Sequence, residues 1–218
     1  MARANMPKAA APSQRGTPID AIVIGASAGG IEALSTLLPA LPARLHAAVI
    51  IVLHLPRERP SLLAEIFKAK CVRPVSEAQD KEPVAPGAVY FAPPDYHLLI
   101  DKGLQGAPQL ALSADELVNF SRPAIDVLFE SAADIYRERL LGIILTGANQ
   151  DGAIGLRAVQ TFGGMALVQR PADAPAPLMP ESAIKLCPTA RVLTLEQIAG
   201  LLRTLEDGNA MDISHATD

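Results

Sequence analysis

The chain has 218 residues, half of them apolar and 19% charged, with 19 basic against 23 acidic side chains and a net charge of −4. That is enough apolar chain to bury a sizeable core, which excludes wholesale disorder, while an acidic balance with 4% aromatics and no Trp argues against a general nucleic-acid surface or a base-stacking platform. Two cysteines, Cys71 and Cys187, cannot make a disulfide framework and lack zinc-ligand spacing, so they read as reduced packing thiols.

Residues 1–17, rich in Ala and Pro, read as a flexible tail. Arg3, Lys8 and Arg15 have no apolar segment behind them, so the N-terminus does not read as a secretory signal. The first strand is Ala21-Ile22-Val23-Ile24, a β-branched run ended by Gly25 and suited to burial on both faces. Ile31, Leu34, Leu37, Leu38 and Leu41 recur at helical spacing before Pro42. Ala47 to Leu53 is a second buried strand, far short of the roughly 20 residues that cross a membrane. A helix over Ser61 to Lys70 follows, with Leu62, Leu63, Ile66 and Phe67 inward.

The middle changes character. Val72 to Val75, Ala88 to Phe91, His97 to Ile100 and Gln109 to Leu112 are short strand-like runs separated by Pro and Gly, the last two joined as a hairpin. Pro123 opens a helix over Ala124 to Arg139. Leu140 to Leu145 is a third buried strand, followed by a loop, a helix over Gly152 to Phe162, a strand over Met165 to Gln169 and a last helix over Leu195 to Leu205. Residues 207–218 read as a second tail, leaving a single domain over 18–206. Alternating strands and helices with continuous apolar strands predict an α/β fold: a doubly wound, mainly parallel sheet, helices on both faces, and the middle strands as an antiparallel excursion at one edge.

In such a sheet reactive residues lie beyond the carboxyl ends of the strands. Three of those ends carry Gly25-Ala26-Ser27-Ala28-Gly29-Gly30, His54-Leu55-Pro56 and Thr146-Gly147-Ala148-Asn149-Gln150-Asp151-Gly152. The first fits G-x-S-x-G, a sharp turn that exposes a serine at a helix N-terminus, where the Ala28 amide is a natural oxyanion donor. Serine needs a base beside it, which His54 supplies, and Asp151 can fix the imidazole tautomer. Each residue also has a plainer reading: Ser27 as a helix cap, His54 as a satisfied histidine, Asp151 as the cap of the next helix. A dinucleotide phosphate loop is disfavoured, because the glycines at 25, 29 and 30 miss the G-x-G-x-x-G spacing and strand two ends in His54 rather than an acid. His46, His54, His97 and His215 have no ligand-like pairing, so neither a metal nor another cofactor is expected.

These segments, with Ser121-Arg122-Pro123-Ala124-Ile125-Asp126-Val127-Leu128-Phe129, Tyr90 to His97 and Met179-Pro180-Glu181-Ser182-Ala183, resemble the catalytic domain of the bacterial chemotaxis methylesterase family, CheB, over about residues 19 to 205. The resemblance implies a cytoplasmic enzyme that hydrolyses glutamate γ-methyl esters on the cytoplasmic helices of chemoreceptors, and in many members deamidates receptor glutamines. It implies Ser27 as nucleophile, His54 as base and Asp151 as its orienting partner, with the backbone of residue 148 as a second oxyanion donor. The family's loop usually reads T-G-M-G-x-D-G, so Ala148 and Asn149 stand where a Met and a Gly are usual. At a positive φ, Asn is among the residues that best replace Gly. The familiar members also carry an N-terminal receiver domain, for which the residues before strand one are too few. The expected protein is a stand-alone esterase module, either constitutively open or gated by a separate receiver protein, or else working with a partner methyltransferase. The alternative is a catalytically weak regulatory or binding module of the same fold in a chemosensory-type system.

Overall fold

The computed structural model describes residues 18–55 and 61–205. Both predicted tails, with His215, and Pro56 of the second segment lie outside the described residues.

Seven strands form one parallel sheet in the order β3-β4-β2-β1-β7-β8-β9. They are β1 (Ala21–Ala26), β2 (Ala48–Leu53), β3 (Val75–Glu77), β4 (Val89–Phe91), β7 (Leu140–Ile144), β8 (Met165–Gln169) and β9 (Arg191–Leu193). The antiparallel pair β5 (His97–Lys102) and β6 (Pro108–Ser113) forms a separate two-stranded sheet. The expected antiparallel excursion is therefore this hairpin alone. The two shorter runs before it pair parallel at the sheet's edge, β4 beside β2 and β3 beside β4. Three-residue strands carry no period from which their partner or direction could be read. The strand expected at Val72 to Val75 begins only at Val75.

The central strands alternate their side chains between two cores. Ile22 and Ile24 of β1, Val49 and Ile51 of β2 and Leu141 and Ile143 of β7 face helices α1 (Gly30–Leu37), α2 (Leu63–Lys68) and α6 (Leu195–Arg203). Ala21, Val23, Ile50, Val52, Leu140 and Ile144 face α3 (Ile125–Tyr136), α4 (Ala153–Thr161), α5 (Leu178–Leu186) and the hairpin. Burial on both sides is why these strands read as unbroken apolar runs, each buried branched side chain contributing about 1.5–3 kcal/mol. The first helical run ends as a 3-10 turn over Leu38–Ala40, and the second helix is shorter than Ser61 to Lys70. α5 and β9 were not anticipated.

From β1 the chain winds outward through β2 to the β3 edge. It then returns across the sheet by way of the hairpin and α3 to β7, on the other side of β1. β1 is therefore the point where the winding reverses, the place where α/β sheets open a crevice at their carboxyl edge.

Candidate active site

Ser27 and His54 each follow the last residue of a strand, and those last residues, Ala26 and Leu53, are register partners. The ladder runs on past both strands. The His54 amide donates to the Ala26 carbonyl at 3.1 Å, and the Ser27 amide donates to the Thr146 carbonyl, beyond β7, at 3.0 Å. The serine turn is thus fastened on both flanks. Thr146 fastens it a third time, its buried hydroxyl donating to the Ala28 carbonyl at 2.8 Å. Gly29 takes φ 79° as the residue before α1, a left-handed conformation that suits glycine. Gly25 is required for space: a Cβ there would overlap the Ile125 side chain at the start of α3.

Asp151 is fully buried and saturated with donors. Its Oδ2 accepts from His54 Nε2 at 3.0 Å and from the Ile125 amide at 2.6 Å. Its Oδ1 accepts from Asn119 Nδ2 at 3.0 Å, the Asp126 amide at 3.1 Å and the Gly152 amide at 3.0 Å. Ile125 and Asp126 open α3, so the carboxylate sits on that helix's positive end. Burial by itself would raise the Asp151 carboxyl, but the hydrogen bonds from His54, Ile125 and Asn119 prevail and hold it below the ordinary carboxylate value. Asp151 does not cap the helix that follows it: the N-cap of α4 is Gly152, with no side-chain cap, and the carboxylate instead caps the start of α3, 25 residues earlier in the chain.

The His54 ring is about nine-tenths buried, with a side-chain exposure of 12%. With Nε2–H turned to a carboxylate, Nδ1 is the nitrogen left to accept a proton. His97 is the contrasting histidine: its Nε2 donates to the Glu116 carbonyl at 2.9 Å and its Nδ1 accepts from the Ala124 amide at 3.2 Å, which leaves it no free nitrogen. Among the described residues the amides of Ala28 and Ala148 take part in no hydrogen bond. Asn149 does not take a positive φ; instead its Oδ1 accepts from the Asp151 amide at 3.2 Å, steadying the loop from within. Among the described residues no cluster of three or more His, Cys, Asp or Glu is placed to hold a metal ion. No helix among them is long and apolar enough to cross a membrane.

Comparison with known proteins gives this arrangement its relatives. The family model of the CheB methylesterase matches residues 22–202. A Leptospira interrogans protein provisionally named protein-glutamate methylesterase/protein-glutamine glutaminase is 46% identical over 190 residues, 87% of this chain and 96% of that one. The chain belongs to the CheB methylesterase family. It is a hydrolase of that family. The Maricaulis maris protein-glutamate methylesterase/protein-glutamine glutaminase is 35% identical over 95% of this chain, which spans about half (53%) of that longer protein. The crystal structure of the Thermotoga maritima CheB methylesterase catalytic domain matches with a TM-score of 0.81 at 32% identity, covering 87% of this chain and all of that one.

Two residues of this CheB-type site escaped the reading of motifs. Asp126, 4% exposed, accepts from the Gly155 amide at 2.7 Å and from Asn119 Nδ2 at 2.8 Å. Burial pushes its carboxyl up to about 6, against the pull of those hydrogen bonds. An acid on the buried face of a helix otherwise lined by Ile125, Leu128, Phe129 and Ala132 was the signal available for it. Asn119 offered no such signal, because its role depends on a turn that only the folded chain displays.

Proposed function

We propose that the chain is a protein-glutamate methylesterase that hydrolyses glutamate γ-methyl esters on chemoreceptor cytoplasmic helices, with Ser27 as nucleophile, His54 as general base and Asp151 as the residue that orients it. The observation that carries this reading is the His54 Nε2 to Asp151 Oδ2 hydrogen bond of 3.0 Å, made at the strand end next to Ser27. The resemblance of the chain to proteins named for this activity supports the substrate class.

Ser27 Oγ attacks the ester carbonyl carbon while its proton passes to His54 Nδ1. The carboxylate of Asp151 stabilises the resulting imidazolium through Nε2–H. The tetrahedral oxyanion is held by the Ala28 and Ala148 amides, two N–H groups without a hydrogen-bond partner among the described residues. Collapse breaks the bond to methoxide, which takes the proton from Nδ1 and leaves as methanol. Water, deprotonated by the same nitrogen, then cleaves the glutamyl-serine ester and regenerates Ser27. A glutamine side chain follows the same route, with ammonia as the leaving group. The Ala148 and Asn149 replacements are compatible with this course, since the donor at 148 is backbone and Asn149 braces Asp151.

The test is methanol release from a methylated receptor cytoplasmic fragment, with wild type and Ser27→Ala side by side, and labelling of both by a fluorophosphonate. Release and stoichiometric labelling by wild type alone are expected. Equal release by Ser27→Ala would end the serine reading.

A further inference from the structure

We propose that Asn119 is a positioning residue of this esterase, its one side-chain amide bridging Asp151 and Asp126 so that the Asp151 carboxylate stays aimed at His54. The inference rests on the Ser27-His54-Asp151 reading and extends it to a residue whose side-chain amide hydrogen-bonds, among the described residues, to Asp151 and Asp126.

The two N–H bonds of Asn119 are used on two different carboxylates, 3.0 Å to Asp151 Oδ1 and 2.8 Å to Asp126 Oδ2. Two buried acids this close repel when both are charged, and without the amide each loses one of the donors that hold its carboxyl group in place. A shared donor removes both difficulties. It draws Oδ1 of Asp151 toward the segment before α3, which fixes the rotation of the carboxyl group and leaves Oδ2 for His54. A carboxylate with five donors is then anchored at one oxygen by three of them, and only its other oxygen faces the imidazole.

The backbone is arranged to present that amide. Val118 and Ser121 close a two-residue turn with reciprocal hydrogen bonds of 3.2 and 2.9 Å. Both central residues, Asn119 at φ 50° and Phe120 at φ 60°, are left-handed. Such a conformation costs a non-glycine residue on the order of 1 kcal/mol, least for Asn. The guanidinium of Arg122 braces the turn's base, holding the Asp95 carboxylate at 2.8 Å and the Ala114 and Asp115 carbonyls at 2.8 Å each. The Asn119 amide therefore reaches the carboxylates with little freedom left to lose, the condition under which a supporting hydrogen bond is most effective.

Asn119→Gly is the discriminating variant, since glycine accepts the left-handed φ and only the amide is lost. Asn119→Asp is the second, keeping the turn and the size while replacing the donor with an acceptor. Expected are a fall of about ten- to a hundred-fold in kcat for methanol release and a like fall in the rate of fluorophosphonate labelling of Ser27 for both variants. KM for the receptor fragment should stay within about two-fold and the melting temperature within a few degrees for Asn119→Gly. A folded Asn119→Gly with wild-type labelling and turnover overturns the inference. So does a loss that tracks a falling melting temperature and a rising KM in both variants, because that assigns Asn119 to folding and docking alone. Ser27→Ala, run alongside, separates the two levels: if it retains turnover the serine reading has failed, and if it is silent while Asn119→Gly is unaffected only the bridge has.

Discussion

Replacing Asp151 by Asn preserves shape and removes one lone-pair face, and the donor set fixes what must follow. The carboxylate receives His54 and Ile125 on one oxygen and Asn119, Asp126 and Gly152 on the other. An amide has one oxygen, and it will turn that oxygen to the side with three donors. Its NH2 then points at His54 Nε2 and the Ile125 amide. The imidazole can adapt by moving its proton to Nδ1, which on the proposed mechanism places N–H where Ser27 needs a base; such a wrong-tautomer loss in a Ser-His-Asp site is worth about 10⁴-fold in kcat. The Ile125 amide cannot adapt. One buried N–H without an acceptor costs about 1–3 kcal/mol, and loss of the charge at the start of α3 adds about 0.3–1 kcal/mol. The expected total is about 1–4 kcal/mol, read as a fall of roughly 3–16 °C in melting temperature for a domain of this size. Methanol release and urea unfolding of the same preparation check both numbers. Retention of more than a tenth of wild-type turnover, or an unchanged unfolding midpoint, would refute the reasoning.

Two more predictions come from neighbours of that carboxylate. Asp126, raised to about 6 against about 3.9 in an unfolded chain, is most favourable to folding when protonated, so its contribution is complete below about pH 4 and is lost as pH rises through about 6. Asp126→Asn should therefore gain stability relative to wild type across that window, by up to about 3 kcal/mol, whereas superimposable pH dependences in urea unfolding would contradict the assignment. Gly25→Ala should cost about 1–3 kcal/mol through overlap with Ile125, and should lower turnover further than the stability loss alone explains, because the displaced Ile125 amide is a donor to Asp151; unchanged urea unfolding and kcat would show that the contact yields freely.

Much of this site was legible before folding because its chemistry hangs on central strands. Ile22 to Ile24, Val49 to Leu53 and Leu140 to Ile144 are buried on both faces, so their runs are continuous and their ends well marked. Whatever follows such an end is at the crevice, which makes Ser27 and His54 legible as candidates. The edges were harder. β3, β4 and β9 have three residues each, and direction in a sheet is a tertiary fact that no run of three encodes. Helix α5 was hidden by Pro177 and Pro180, which resemble loop punctuation; Pro180 is in fact the third residue of the helix, where its missing N–H has no intrahelical partner to lose. Asn149, which stands where the family usually has Gly, does not take a positive φ, whereas Asn119, 30 residues earlier, does. Only the fold brings Asn119 and Asn149 to one aspartate, and which of them bends left-handed depends on the turn each occupies.

The ladder that continues beyond β1 into the serine turn has a consequence for how the protein wears out. Catalytic residues are often carried on segments that open independently of the core. Here the amides of Ser27 and His54 are bonded to the Thr146 and Ala26 carbonyls, just past the ends of the central strands of a seven-stranded sheet. Local breathing at the β3 or β9 edge leaves them closed. Heat inactivation is therefore expected to report the dissolution of the sheet itself, with amide exchange at Ser27 and His54 on the slow clock of whole-domain opening.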